Sequence, residues 1–174
     1  MAEVIELEQV DALGAGAVGE PGRRAFFIQA RKADARLTVL VEKEQVALLA
    51  FEAVAFLDRL SEDYPEEPGA VGEGARLEEP TVPLFRARLI GLGFDPHREL
   101  VLLELREQEG SEDGDEEPEE EQAGDGWVAR IYATRAQVRA MAAGGAEAVA
   151  AGRPACPLCD LPMDPSGHVC PRLN

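Results

Sequence analysis

The sequence EPGRRAFFIQAR at residues 20–31 determines the expected fold, because a related pattern recurs later in the chain. With an offset of 75, the acid-Pro-x-Arg turn at residues 20–23 falls on residues 95–98, and the apolar strand at residues 25–31 falls on residues 100–106. Proline presets φ at the first central position of a turn, and the glycine after it supplies the positive φ of a type II turn. Two copies of one unit are the simplest interpretation.

The similarity continues through another strand and a helix in each copy. Beyond residue 106 the offset becomes 92, so that Val39 and Gln45 fall on Ile131 and Gln137. The larger offset indicates an insertion in the second copy, and it coincides with an acidic run at residues 107–125. Both helices have recognisable patterns, with apolar residues every three to four positions in the first and a capping box in the second. The residues that carry these patterns are Val46, Leu49, Ala53, Leu57 and Leu60, and Thr134 with Gln137.

These patterns predict an α+β fold. We expect two antiparallel strand-strand-strand-helix repeats that form one or more sheets covered by two helices, followed by a C-terminal zinc knuckle. A strand at residues 4–8 is expected to add to the first copy, and residues 81–92 to open the second. The predicted segments are repeat 1 at residues 1–60, an acidic linker rich in Pro and Gly at 61–80, repeat 2 at 81–151 with a disordered acidic insert at 107–125, and the zinc tail at 152–174.

The tail carries the strongest chemical signal of the chain. Cys156, Cys159, His168 and Cys170 follow the spacing C-x2-C-x8-H-x-C and include all three cysteines of the protein. Three thiolates and an imidazole at this spacing are typical of a tetrahedral zinc site, and four such ligands leave no open position for catalysis. The alternatives are an unrelated tail or a redox C-x-x-C pair, but such a pair normally opens a helix and has no third Cys or His nearby.

Two stretches of the chain resemble a known family. The first is GEPGRRAFFIQA at residues 19–30, and the second runs from CPLC at residues 156–159 to GHVCPR at residues 167–172. Together they resemble an uncharacterised family of mostly actinobacterial proteins, over most of the chain except the acidic run. The resemblance implies no activity that could be transferred to this protein.

Composition limits the class of protein. A chain of 174 residues with 45% hydrophobic residues can form one domain of ordinary size plus a small tail. No apolar run reaches the roughly 18 residues of a membrane span, and the N-terminus lacks the features of a secretory signal. We therefore expect a cytoplasmic protein with no membrane partner. The net charge of −17 is concentrated at residues 61–80 and 107–125, and the remaining sequence is formally neutral.

One face of the predicted sheet could bind nucleic acid. Alternation places guanidinium, amide and aromatic side chains on the face away from the helices, as stacking and phosphate contacts with a single strand require. The alternative is an ordinary solvated face, on which arginines pair with Glu104 or Glu42. In the first case, the acidic insert could compete for the basic groups. The face consists of Phe27, Gln29, Arg31, Arg86, Arg88, Arg130 and Tyr132.

Other motifs give little support to an enzyme. The G-x-G-x-x-G pattern at residues 14–19 precedes a Pro turn instead of a helix, so close packing or strand curvature is the better interpretation. His97 falls in a predicted surface turn, and no catalytic residues are assigned. The main interpretation is a non-enzymatic interaction or regulatory protein with an unknown protein partner, and the chain could form a homodimer. The alternatives are a single-stranded nucleic-acid binder and an enzyme with an unrecognised pocket.

Overall fold

The computed structural model describes residues 2–66, 75–107, 126–164 and 166–173. The predicted acidic insert lies outside the described residues except for Glu107, as does part of the predicted linker. The elements are, in order, β1 (Ala2–Leu7), β2 (Ala12–Val18), β3 (Ala25–Lys32), β4 (Ala35–Val41), α1 (Lys43–Asp63), β5 (Phe85–Arg86), β6 (Leu89–Asp95), β7 (Leu100–Arg106), β8 (Gly126–Ala133) and α2 (Arg135–Ala150).

The strands form two sheets of four. Sheet 1 has the order β2-β3-β4-β5, and sheet 2 has the order β1-β8-β7-β6. In each half of the chain, three consecutive strands pair antiparallel and a helix follows, which confirms the α+β class. The register places Gln29 between Gly14 and Thr38 in sheet 1. Glu104 lies between Gly91 and Arg130 in sheet 2, which is the equivalent position.

The first strand of each half pairs with the other half. β1 runs parallel to β8, so the expectation that residues 4–8 add to the first copy was wrong. Residues 81–92 are likewise divided, because β5 runs parallel to β4 in sheet 1 whereas β6 lies in sheet 2. Both sheets are therefore mixed and not purely antiparallel. Alternation in a sequence indicates which face of a strand is buried, but not which neighbour the strand pairs with.

Two equivalent backbone hydrogen bonds follow β1 and β5, the strands that pair with the other half. The Val10 amide donates to the Tyr132 carbonyl at 2.9 Å, and the Ala87 amide donates to the Leu40 carbonyl at the same distance. Tyr132 and Leu40 are related by the offset of 92 found in the sequence. This equivalence supports an internal repeat, which stays a prediction.

The turns that open β3 and β7 have different structures. The Arg23 amide donates to the Glu20 carbonyl at 2.9 Å and Gly22 has φ of 92°, as a type II turn requires. In the second half, the Asp95 side chain accepts hydrogen bonds from the amides of His97 and Arg98 and replaces the glycine as the organiser of the turn. His97 is exposed on this turn.

The core lies between the inner faces of both sheets and the two helices. α1 buries the apolar residues that its periodicity indicates, except Leu60, which is partly buried. α2 begins with the predicted capping box, in which the Gln137 amide donates to Thr134 Oγ1 at 3.1 Å. Ile28 and Leu103 are at most 1% exposed and contribute to one continuous apolar cluster. Among the described residues, neither helix is long and apolar enough to cross a membrane.

Candidate metal centre

The tail begins with a short hairpin that shapes the first ligand turn. Ala155 and Pro162 form an isolated bridge, and the Cys156 amide donates to the Leu161 carbonyl at 2.8 Å. Inside the hairpin the Asp160 amide donates to the Cys156 carbonyl at 2.9 Å. Asp160 has φ of 59°, a left-handed conformation that Asp tolerates and that ends the turn. Cys156 and Cys159 thus lie on one tight turn.

A second turn presents the other two ligands. The Gly167 amide donates to the Asp164 carbonyl at 3.0 Å, and Gly167 has φ of 128°, a region that glycine adopts without a steric penalty. The chain then continues directly into His168 and Cys170. The two turns face each other, as the sequence predicts.

The four predicted ligands converge. Their ligand atoms all lie within 4.8 Å of one another. Cys156 Sγ lies 3.9 Å from Cys170 Sγ, and Cys159 Sγ lies 3.2 Å from His168 Nε2. A disulfide would bring two sulfurs to about 2.05 Å, and all three cysteines are free. The cluster can therefore hold a metal ion.

The local backbone tunes the thiols. Hydrogen bonds from the backbone of Leu158 and Cys159 lower the pKa of the Cys156 thiol to about 7. Burial raises the pKa of the Cys159 thiol. Because the thiolate is the form that binds a metal, the backbone of the first turn favours the ligand state of Cys156 at neutral pH.

The tail also contacts the two-sheet domain. Within the tail, Arg153 Nη1 pairs with Asp164 Oδ1 at 3.0 Å. Gly22 lies so close to Arg153 that an added Cβ would approach its Nε to 3.5 Å. The tail therefore packs against the type II turn before β3. The structure thereby brings together the two stretches that carry the sequence resemblance.

Part of the predicted nucleic-acid face is covered by the chain itself. Phe27, Gln29 and Arg31 lie on the outer face of sheet 1, and residues 75–79, which we call the crossing segment, run over that face. Gln29 Nε2 donates to the Glu78 carbonyl at 3.0 Å, and the Glu78 amide donates to Gln29 Oε1 at 2.8 Å. Phe27 and Gln29 are each only 6% exposed. They are not available to a ligand in this arrangement.

The glycines at the start of the G-x-G-x-x-G pattern explain how the crossing segment fits. A Cβ on Gly14 would lie 2.1 Å from the Ala75 carbonyl oxygen, and one on Gly16 would lie 3.2 Å from Leu77 Cδ1. β2 leads through a turn to β3, so no helix N-terminus is present to hold a pyrophosphate. The glycines serve close packing, which is the interpretation that the sequence favours.

The other residues of the predicted face lie elsewhere. Arg130 and Tyr132 belong to the outer face of sheet 2, where Glu104 accepts hydrogen bonds from Arg130 at 2.9 Å and from Arg106 at 2.7 Å. The Arg98 guanidinium lies 4.3 Å from the centre of the Tyr132 ring. Arg86 pairs with Glu42 at 3.1 Å on the edge of sheet 1, and Arg88 lines a groove beside α1. The seven residues do not form one surface, and nucleic-acid binding by any of them stays a prediction.

The structure contains three concave surfaces that the sequence did not predict. A groove of about 440 Å³ lies between α1 and β6, and a wider one of about 940 Å³ lies between β2, α2 and the crossing segment. A pocket of about 430 Å³ separates the tail from sheet 1, and its lining includes Arg24, Lys43, Arg86 and Arg153. These four residues are distant in sequence. The only signals were the position of Arg24 in the EPGRRAFF stretch and that of Arg153 just before the tail ligands.

Comparison with known proteins places the chain in a family. No curated protein and no solved structure matches it significantly. A family model described as "Protein of unknown function (DUF3090)" matches residues 5–170, from β1 to the last cysteine of the metal cluster. Because this match spans nearly the whole sequence, the chain belongs to the DUF3090 family of proteins of unknown function.

Proposed function

We propose that the protein is a non-enzymatic interaction module of the cytoplasm whose tail is held by a structural zinc ion. The observation that carries the proposal is the convergence of three sulfurs and one imidazole nitrogen within 4.8 Å. Neither the metal nor the partner is identified by the family, so both are argued from the chemistry of the described residues.

The donor set fits zinc, and so do two of the distances between its ligand atoms. With zinc–sulfur and zinc–nitrogen bonds of about 2.3 and 2.0 Å, a tetrahedral site has sulfur–sulfur edges of about 3.8 Å and sulfur–nitrogen edges of about 3.5 Å. The Cys156–Cys170 and Cys159–His168 distances, at 3.9 and 3.2 Å, are close to these values. Thiolates with an imidazole are also a combination that zinc accepts readily.

A structural role follows from the number of ligands. Four protein ligands fill the tetrahedron, whereas a catalytic zinc keeps one position for water or substrate. Within the described part of the tail, residues 152–164 and 166–173, only Cys156 and Cys170 are buried. A segment with so little core needs another source of stability, and zinc binding supplies on the order of 10 kcal/mol in small zinc peptides.

Metal analysis of the full chain tests this role. We expect one zinc per chain in natively purified protein by elemental mass spectrometry, and loss of that zinc in Cys159→Ser and His168→Ala. Ser166→Ala is the matched control, because Ser166 is an exposed residue between the ligands. Protein without stoichiometric zinc, or a His168→Ala variant that binds zinc as tightly as the control, would contradict the proposal.

The groove between α1 and β6 is the surface that we assign to a protein partner. Its walls carry large apolar side chains, of which Leu48 and Leu89 are 61% and 48% exposed. Phe51, one turn beyond Leu48, is 71% exposed. Exposed apolar groups that adjoin one another on a soluble protein indicate an interaction site.

The position of β6 suggests an extended peptide as the occupant. β6 pairs only with β7 among the described strands, so its other edge has no strand partner there, and three residues of β6 line the groove. An extended segment can use the backbone groups of such an edge while its alternate side chains enter the groove. Elsewhere in the chain, the crossing segment shows another way to hold an extended segment, since it lies on the face of sheet 1 and is bound by the Gln29 side chain.

A displayed library of random peptides, selected on the full chain, tests the groove. We expect peptides with alternating apolar residues that bind the wild type and lose at least tenfold affinity for Leu48→Asp and Leu89→Asp, because a buried carboxylate is costly. Val82→Asp is the control, since Val82 is 72% exposed and does not line this groove. Failure to enrich such peptides, or equal binding to all variants, would refute this surface.

A further inference from the structure

The pocket between the tail and sheet 1 has the opposite charge from the chain as a whole. We propose that it binds a small anion that carries a phosphate group. Its lining includes four cationic residues and one acid, Glu42, although the whole chain has a net charge of −17. The cationic residues are Arg24, Lys43, Arg86 and Arg153.

Two of the cations converge on one point. A Cβ added to Gly152 would lie 3.2 Å from Arg24 Nη2 and 3.2 Å from Lys43 Nζ, so these nitrogens are no further apart than twice that distance. Like charges at this separation repel each other, and an anion between them would remove the repulsion. Arg24 is held in place, because its Nη1 donates to the Ala148 carbonyl at 2.9 Å and its guanidinium lies 5.2 Å from the Phe26 ring centre.

The remaining two cations are only partly neutralised. Arg86 pairs with Glu42 at 3.1 Å and Arg153 with Asp164 at 3.0 Å, and both arginine side chains remain about one third to one half exposed. Two carboxylates against four cations leave a double positive charge, which a phosphate dianion would match. Among the described residues, Lys43 forms no ion pair.

The chemistry of the pocket favours phosphate over other anions. Guanidinium groups bind phosphate oxygens through paired hydrogen bonds, and a lysine adds a point charge. Lys43 is also the first residue of α1, where the positive end of the helix dipole attracts anions. The volume of about 430 Å³ is in the range of small-molecule sites, and Phe26 and Leu40 provide an apolar wall for the rest of the ligand.

Calorimetric titration of the full chain tests the pocket. The probes are inorganic phosphate and a nucleoside monophosphate, with chloride at equal ionic strength as the reference. We expect saturable binding of a phosphate probe at millimolar or lower concentration, weakened about tenfold by Arg86→Ala and by Lys43→Ala through loss of a charged hydrogen bond. Binding of both probes would indicate that free phosphate is sufficient as a ligand. Binding of the nucleotide alone would indicate that the ligand is a phosphate ester.

Arg139→Ala is the matched control. Arg139 pairs with Glu66 at 2.8 Å and its side chain is 42% exposed, against 49% for Arg86, so both changes remove the same charge from similar settings. Circular dichroism of each variant checks that it is folded, and Lys43→Gln repeats the test with a side chain that remains polar. The proposal is overturned if neither probe binds, if Arg139→Ala weakens binding as much as Arg86→Ala, or if only a single-stranded oligonucleotide binds.

Discussion

The two halves of the molecule have the same order of elements but differ in what covers them. In sheet 1, the crossing segment lies over Gly14 and Gly16 and is held by Gln29. In sheet 2, no atom of the described residues lies within 4 Å of a Cβ added at the equivalent position, Gly91. The outer face of one half therefore makes an internal contact, whereas the described residues leave that face of the other half uncovered at Gly91.

The helices show a related difference. By the offset of 92, three small residues of α2 that line the wide groove beside β2 correspond to larger residues of α1 that line the groove beside β6. The pairs are Ala140 with Leu48, Gly144 with Glu52, and Ala148 with Phe56. Equivalent positions thus carry small side chains in α2 and larger side chains in α1. This difference explains why we assign the protein partner to the groove between α1 and β6.

The largest expected losses in the free energy of unfolding lie in the shared core. If the losses differed between the two halves, the comparison would fail. Ile28 and Leu103 occupy equivalent positions in β3 and β7 and are at most 1% exposed. Ile28→Ala and Leu103→Ala should each lower the free energy of unfolding by about 3 kcal/mol, through lost burial and a cavity. Urea denaturation measures both. A large cost in only one half would show that the halves do not share one core.

Smaller but opposite effects are expected at the equivalent glycines. Gly14→Ala would place a Cβ 2.1 Å from the Ala75 carbonyl oxygen, so we expect a loss of about 2 kcal/mol as the crossing segment is displaced. Gly91→Ala meets no atom in the part of the chain that the structure describes and should gain about 0.5 kcal/mol, because alanine loses less backbone entropy than glycine in a strand. Thermal unfolding of the two variants gives the signs. The same sign for both would show that the crossing segment adapts without cost.

The sequence predicted the parts of this arrangement that depend on local patterns. Alternation and periodicity indicated the strands and helices, and four ligands within fifteen residues indicated the metal cluster. The exchange of β1 and β5 could not be predicted, since a strand with one apolar face can pair with either half. The cover over Gln29 was also hidden, because it joins residues 49 positions apart. The cationic pocket was hidden because its four charged residues come from four separate parts of the chain.

The hydrogen bonds that hold the crossing segment can be separated from its ion pairs. Gln29→Leu removes both bonds to the Glu78 backbone and should cost about 1.5 kcal/mol, since buried polar groups lose their partners. Glu78→Ala keeps those backbone bonds and removes only pairs with Arg31 and Arg36 at 3.6 and 3.7 Å, so its cost should stay below about 0.5 kcal/mol. Limited proteolysis near residue 78 should accelerate only in Gln29→Leu. Equal acceleration in both variants would mean that charge holds the segment.

The smallest expected effect concerns Glu104, which occupies in sheet 2 the position that Gln29 occupies in sheet 1. Burial alone would raise the pKa of Glu104, but hydrogen bonds from Arg130 and Arg106 outweigh it and hold the pKa below its usual range. A carboxyl group with a lowered folded pKa stabilises the fold above its unfolded pKa of about 4.3 and loses this effect as the pH falls through the folded value. Glu104→Gln should therefore cost up to about 1 kcal/mol at pH 7, and this cost should shrink as the pH falls below about 4.3 towards 3.

Urea denaturation of wild type and Glu104→Gln between these two pH values measures the gap. Glu8→Gln is the control, because Glu8 pairs with Arg98 at 3.3 Å but is 71% exposed, so its pair is screened by water and should contribute little at any pH. If the difference in unfolding free energy between wild type and Glu104→Gln disappears on acidification, the acid-sensitive contribution to stability lies in sheet 2, because the equivalent amide of Gln29 cannot titrate. A gap that is constant with pH would show that Glu104 acts through packing and that the charged network on the open face adds no stability.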